Sequence, residues 1–171
     1  MKNKKLFNMC AAAMFTAIIF VLTRFVSVPV ASGYVHFGDA LVYIAASVLG
    51  GPWAFFAAAV GEALADIAYG MAYYAPATLI VKALIAAPFV LTFKKSDKIL
   101  TPVTVAMTVI SGLITVGGYY ISDLIIDKTY AIVNIPGNII QAVGSAVIFI
   151  VLGAAFDAVG LKKKIFKKRE V

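Results

Sequence analysis

Residues 37–69 read FGDALVYIAASVLGGPWAFFAAAVGEALADIAY, from Phe37 to Tyr69. This stretch is too long for one perpendicular crossing of roughly 30 Å of hydrocarbon. Gly50-Gly51-Pro52 interrupts it with a strong turn signal. It reads as two helices, about 37–50 and 53–70. The first is short at ~1.5 Å per residue, so it must tilt, extend upstream through Tyr34, or be sheltered by its neighbours. Whether both halves cross depends on what flanks them.

Four further apolar segments are plain: about 6–25, 76–93, 100–122 and 137–160. Each is long enough to span a bilayer as a helix. Basic residues fall in three places. Lys2, Lys4 and Lys5 open the chain, Lys94, Lys95 and Lys98 share one short loop, and Lys162, Lys163, Lys164, Lys167, Lys168 and Arg169 close it. Basic flanks mark the cytoplasmic side. If residues 1–5 and 94–98 are both inside, residues 26–75 begin and end outside and must cross an even number of times. Two crossings there give six in all. The expectation is an all-α integral membrane protein of six transmembrane helices, with residues 1–171 forming a single membrane domain, both termini cytoplasmic, in a bacterial cytoplasmic membrane. External loops are then about 26–36, 71–75 and 123–136, and internal ones 51–52 and 94–99. The external loops are the longer and richer in Tyr, Asn, Pro and Gly, so the outer face is the one that receives something.

Composition agrees. Of the 171 residues 63% are hydrophobic and 13% charged, whereas a soluble domain has about half apolar and a quarter charged residues. The net charge of +7 sits beside the helices, where it meets anionic lipid, and nucleic acid is not expected as a partner. The first apolar run follows lysines as a signal peptide would. It is long for that role, however, and its small-residue cluster, Ala11-Ala12-Ala13, stands at its start rather than its end; it reads as a retained helix. The single Cys10 lies within it and provides no disulfide framework.

Charges inside a membrane are costly and point to function. Asp39, Glu62, Asp66 and Lys82 are such residues, with Arg24 and Asp123 at the outer boundary. Asp66 and Lys82 fall at matching depths, so an Asp66–Lys82 ion pair is expected, either pinning two helices together or leaving Lys82 to meet a substrate. Glu62 lies one turn below Asp66 on the same face. An outer-facing polar set comprises Tyr34, His36, Asp39, Tyr43, Tyr73, Tyr74, Thr78, Tyr119, Tyr120, Asn134, Asn138 and Gln141. Interfacial tyrosines are ordinary in membrane proteins, and a lone loop histidine is more often incidental than a ligand. Asn138 and Gln141 differ: three residues apart, they share one face in the outer half of the last helix, where an unpaired amide is expensive. Amides and tyrosines converging on an outward pocket suit a flat, polar, neutral ligand. The candidate binding residues are Tyr34, His36, Asp39, Tyr74, Thr78, Lys82, Tyr120, Asn134, Asn138 and Gln141.

No Gly-x-x-x-x-Gly-Lys-Ser/Thr loop occurs, so nothing here cradles ATP phosphates. One His and one Cys do not make a common zinc site, and no metal, cofactor or catalytic residue is expected. Gly144-Ser145 suggests an intramembrane serine hydrolase only weakly, because the one histidine lies far off in an outer loop. A small self-coupled secondary transporter remains an alternative, although 171 residues leave little room for two inverted repeats. Small residues recur at packing intervals: Ala13 and Ala17 in the first helix, and Ala57, Gly61 and Ala65 in the third. Such faces let helices approach closely, within the chain or against another membrane protein.

Taken in order, Tyr34-Val-His-Phe-Gly-Asp-Ala-Leu-Val-Tyr43, Gly50-Gly-Pro52, Gly61-Glu-Ala-Leu-Ala-Asp66, Tyr74-Ala-Pro-Ala-Thr78, Ile80-Val-Lys82 and Asn134-Ile-Pro-Gly-Asn138-Ile-Ile-Gln141 resemble the substrate-binding S components of energy-coupling factor (ECF) vitamin transporters. The similarity runs through nearly the whole chain and includes the Ala13-x-x-x-Ala17 face. It implies a six-helix protein without ATPase activity that captures a water-soluble vitamin or precursor outside, in a pocket capped by the loop after the first helix. It also implies partners: a transmembrane coupling subunit, docked on the small-residue face of the first helix, and two cytoplasmic ATPases. In such proteins the whole subunit is thought to topple to release its cargo. The Tyr/Asn/Gln set suits riboflavin or a pyrimidine- or pyridoxine-like ring; pantothenate fits if Lys82 or Arg24 is free to meet a carboxylate. Trp53 is the lone tryptophan, below the density expected for biotin- or thiamine-type members.

Overall fold

The computed structural model describes residues 2–30, 33–93 and 96–170. In chain order its elements are α1 (Lys2–Phe25), β1 (Ser27–Val30), β2 (Gly33–His36), α2 (Asp39–Leu49), α3 (Gly51–Tyr69), α4 (Ala75–Thr92), α5 (Pro102–Ile126), α6 (Tyr130–Val133), α7 (Ile135–Ala158) and α8 (Leu161–Glu170). Polarity is distributed inside out. Leu91 and Ile125 are 79% exposed, whereas Asp39 and Lys82 are 0% exposed. Water would not tolerate that apolar exterior; hydrocarbon does. Segments Lys4–Phe25, Ala75–Thr92, Pro102–Ile126 and Tyr130–Ala158 are long and apolar enough to cross a membrane, and the chain is an all-α membrane protein apart from one hairpin.

That hairpin replaces the loop expected at 26–36. β1 and β2 pair antiparallel, with Ser27 opposite His36 and Val30 opposite Gly33. The loop expected at 123–136 is also ordered: α5 continues through Ile126, and the single turn of α6 follows.

The interrupted stretch 37–69 resolves as the Gly-Gly-Pro signal requires. Gly50 and Gly51 both take positive φ, +63° and +56°, a region that side-chain-bearing residues avoid, and Pro52 then starts α3. At eleven residues α2 is only about 16 Å long. It does not need to span alone, because every one of its residues is buried and it is packed by α1, α3, α4 and α7. Burial on all sides gives this short helix its shelter, and β2, not an upstream helical extension through Tyr34, precedes it. At its centre the Tyr43 ring stacks on Phe89 with centroids 4.7 Å apart, and Phe149 meets both edge-on.

α1 lies along α3 through the small-residue stripe. Ala57, Gly61 and Ala65 are buried, and a Cβ on Gly61 would come within 2.9 Å of the Thr16 carbonyl oxygen and of Ile19 Cγ2. Ala13 and Ala17, by contrast, are exposed. Pro88 sits inside α4, where it removes one backbone donor and loosens the turn. In that turn the Ser111 hydroxyl donates to the Ile85 carbonyl at 2.7 Å, tying α5 to α4. A capping box of Thr101 and Thr104 starts α5.

Candidate functional site

The hairpin, the end of α3, the start of α4, the end of α5 and the start of α7 surround one cleft. Tyr34, His36, Asp66, Met71, Tyr74, Tyr119, Asp123, Asn134, Asn138 and Gln141 line it. Its free volume is about 60 Å³, room for a few waters at roughly 10–15 Å³ each. β2 delivers Tyr34 and His36 to one wall. α7 delivers Asn138 and Gln141, which lie three residues apart and so share a face.

The floor is a buried charge network. Lys82 Nζ lies 2.5 Å from Asp39 Oδ1, and Gln141 Nε2 donates to Asp39 Oδ2 at 3.0 Å. The other end of the same amide, Gln141 Oε1, accepts from the His36 backbone N–H at 3.4 Å. Asp39 also occupies the first turn of α2, where the helix dipole favours an anion. This corrects the expected Asp66–Lys82 pair: Lys82 is bound to Asp39. Depth along each helix matched Asp66 to Lys82, but depth says nothing of the direction a side chain takes around the helix axis. Asp66 instead accepts from the Tyr34 hydroxyl, Oη to Oδ1 2.5 Å.

Above the floor the tyrosines are held in place. Tyr34 stacks on Tyr69 with centroids 4.1 Å apart, and the Arg24 guanidinium lies 4.8 Å from the Tyr69 ring centroid while Nε donates to the Ala68 carbonyl. Tyr74 donates to Asp123 Oδ1 at 2.5 Å, and Asn134 Nδ2 donates to Asp123 Oδ2 at 3.0 Å. Burial, joined by the Asp123 hydrogen bond, raises the Tyr74 hydroxyl well above its usual range and keeps it a donor. Thr78 and Tyr119 share a hydroxyl–hydroxyl bond of 3.1 Å, and Lys82 Nζ is 5.2 Å from the Tyr119 ring centroid.

His36 is more than an incidental loop residue. It is buried, its Nδ1 accepts from the Gly38 N–H at 3.2 Å, and its Nε2 lies 3.4 Å from Glu62 Oε2. Burial, aided by the Lys82 charge and opposed by Asp39, pushes its pKa down to about 3. The ring is therefore neutral, and with Nδ1 accepting, its proton belongs on Nε2. His36, Asp39 and Glu62 offer atoms within 4.8 Å of one another. Both Asp39 oxygens and His36 Nδ1 are engaged, whereas both Glu62 oxygens are buried without a hydrogen-bond partner.

Of the ten candidate binding residues, Tyr34, His36, Tyr74, Asn134, Asn138 and Gln141 line the cleft. Asp39, Thr78 and Lys82 are buried behind it. Tyr120 is not part of the lining; Tyr119 is. A signal for that choice exists in the sequence: Thr104, Thr108, Ser111, Thr115, Tyr119 and Ser122 recur every three or four residues, a polar stripe that turns inward on α5. Asp123, read only as a boundary charge, and Met71 also line the cleft.

The sequence model of the ECF-type riboflavin transporter S component family matches residues 3–158. Among curated proteins none matches the chain.

Proposed function

Because the chain belongs to the family of ECF-type riboflavin transporter S components, vitamin-capture subunits of ECF transporters, we propose that its own cargo is riboflavin, taken from the outer face into the cleft beneath the hairpin. The observation that carries this reading is the lining itself. Tyr34, Tyr74 and Tyr119 offer rings to a flat ligand, and Asn134, Asn138, Gln141 and Asp66 offer hydrogen bonds to its edges and hydroxyls. Pantothenate loses its support, since Lys82 is held by Asp39 and Arg24 by Ala68 and Tyr69. In this reading the chain crosses the membrane six times, with both termini and the 94–99 loop in the cytoplasm of a bacterial cell. It hands its cargo to a transmembrane coupling subunit, driven by two cytoplasmic ATPases, across the α1 face that carries Ala13 and Ala17. It has no catalytic role of its own. Tyr34 and His36 of the hairpin form one wall of the cleft, and in this reading the hairpin moves to admit the ring system. The test is to purify the chain and titrate it with riboflavin, following quenching of flavin fluorescence, with mass spectrometry of whatever co-purifies. Stoichiometric quenching supports the proposal; absence of binding, or a different co-purifying vitamin, overturns it.

A further inference from the structure

A second cavity lies at the opposite end of the bundle from the cleft. α4 connects the two: it begins just after Tyr74 of the cleft and ends with Thr92 in the cavity wall. The free volume is about 100 Å³, room for several waters at roughly 10–15 Å³ each. Lys98 and Lys162 line it, and no carboxylate does so among the described residues. Lys162 is 3% exposed, and its Nζ donates to the Phe93 carbonyl at 2.9 Å and to the Lys98 carbonyl at 3.4 Å. Burial pulls its pKa below the ordinary lysine value, opposed by Asp157 and Asp97. The Asp157 carboxylate is itself occupied, since its two oxygens accept the Ile99 and Leu100 backbone N–H groups. The hydroxyl of Ser47, on α2, is the decisive one. Ser47 lines the cavity, is 1% exposed, and its Oγ is buried without a hydrogen-bond partner. A buried hydroxyl left unpaired costs free energy. Water could satisfy it; an anion satisfies it and also offsets the cost of burying the Lys162 charge.

We propose that this cavity binds a phosphate group, held through charge by Lys98 and Lys162 and through hydrogen bonds by the hydroxyls of Ser47 and Ser96. Ser96 Oγ accepts the Lys98 N–H at 3.0 Å, which leaves its own proton to donate. Phosphate fits because its oxygens accept from several directions at once, and the donors here come from three separate elements. Ser47 stands on α2, Ser96 and Lys98 precede α5, and Lys162 lies in the first turn of α8. Gly160, at φ +64°, makes the bend that begins α8 and brings Lys162 against the end of α4. The phosphate can arrive on the headgroup of an anionic phospholipid or free in solution. Phe89, Phe93 and Val103 complete the wall, and their apolar surface suits the glycerol end of a lipid. The site does not depend on which cargo the cleft takes.

The experiment is isothermal titration calorimetry of the purified full chain in an uncharged detergent, with dihexanoyl phosphatidylglycerol, dihexanoyl phosphatidylcholine and inorganic phosphate as probes. Saturable binding of phosphatidylglycerol but not of inorganic phosphate supports the proposal with a lipid source. Saturable binding of inorganic phosphate supports it with a free one. Phosphatidylcholine should bind about tenfold more weakly than phosphatidylglycerol, because its choline brings a positive charge toward two lysines. Ser47→Ala should lower the affinity for the anion that binds by about fivefold. The same variant should leave the unfolding temperature of the ligand-free chain unchanged or raised, since no hydrogen bond is lost there. Lys98→Met should weaken binding about tenfold. Lys163→Met is the control: it removes the same charge from an exposed position on α8 and should change the affinity by less than about twofold. The proposal is overturned if neither anion binds saturably or if phosphatidylcholine binds as well as phosphatidylglycerol. It is equally overturned if Ser47→Ala leaves the affinity unchanged, or if Lys163→Met costs as much affinity as Lys98→Met.

Discussion

Lys82 and Tyr119 show what a linear reading can and cannot see of a site. That Lys82 is a buried charge with an acidic partner is legible, because an isolated ammonium in a membrane helix is not tolerated. Which acid it meets is not, because α2 must first be packed against α4 before Asp39 and Lys82 face one another. Lys82→Met should leave the Asp39 carboxylate without a counter-ion and lower stability by about 3–5 kcal/mol, read as a fall in thermal unfolding temperature in detergent. The double substitution Asp39→Asn with Lys82→Met should recover most of that loss. Full stability of the single variant would show that the pair is dispensable. Tyr119 and Tyr120 are neighbours pointing about 100° apart on a helix, and only the rotation of α5 chooses between them. Tyr119→Phe, which deletes the hydroxyl shared with Thr78, should weaken ligand binding by about five- to tenfold, while Tyr120→Phe should leave the titration curve unchanged. The reverse pattern would place the cleft on the wrong face of α5.

Among the elements, the helices were legible from length, apolarity and the Gly50-Gly51-Pro52 break, and the hairpin was not. β1 and β2 have only four residues each, too few for alternation to declare itself. Ser27–Val30 and Gly33–His36 are strands because they pair with each other and because β2 is held against α3 and α7 by Tyr34 and His36. The hairpin is fastened to α3 chiefly through Tyr34, Tyr69 and Arg24, so that fastening should set how readily the cleft opens. Tyr69→Ala removes the stacking ring and the face on which Arg24 rests. Stopped-flow fluorescence should then show ligand association and dissociation both accelerated by severalfold, with a smaller change in their ratio. Unaltered rates would show that the hairpin does not limit access.

For the whole molecule, the inside-out distribution of polarity was written in the composition, while the division of small-residue faces was not. Gly61 and Ala13 look alike on paper; one is spent on α1–α3 packing and the other is left on the exterior. Replacing Ala13 or Ala17 by Leu should therefore leave folding and ligand affinity intact, since neither side chain lies near the cleft. Cellular uptake and co-purification of the coupling subunit and ATPases should fall sharply, and accumulation of ligand by the chain alone in liposomes would contradict that dependence. A cysteine introduced at position 96 in a Cys10→Ala background should react with membrane-impermeant reagents only after the cells are opened; labelling from outside intact cells would invert the orientation. The shelter given to α2 has a last consequence, for biogenesis. This helix is too short to partition into lipid unaided and carries a carboxylate whose counter-ion is not synthesised until Lys82 emerges. A nascent chain halted between α3 and α4 should therefore hold an unfinished core, with α2 still lacking Lys82 of α4 and Gln141 of α7. The timing with which that segment leaves water should then follow the order of translation rather than the hydropathy of α2 alone.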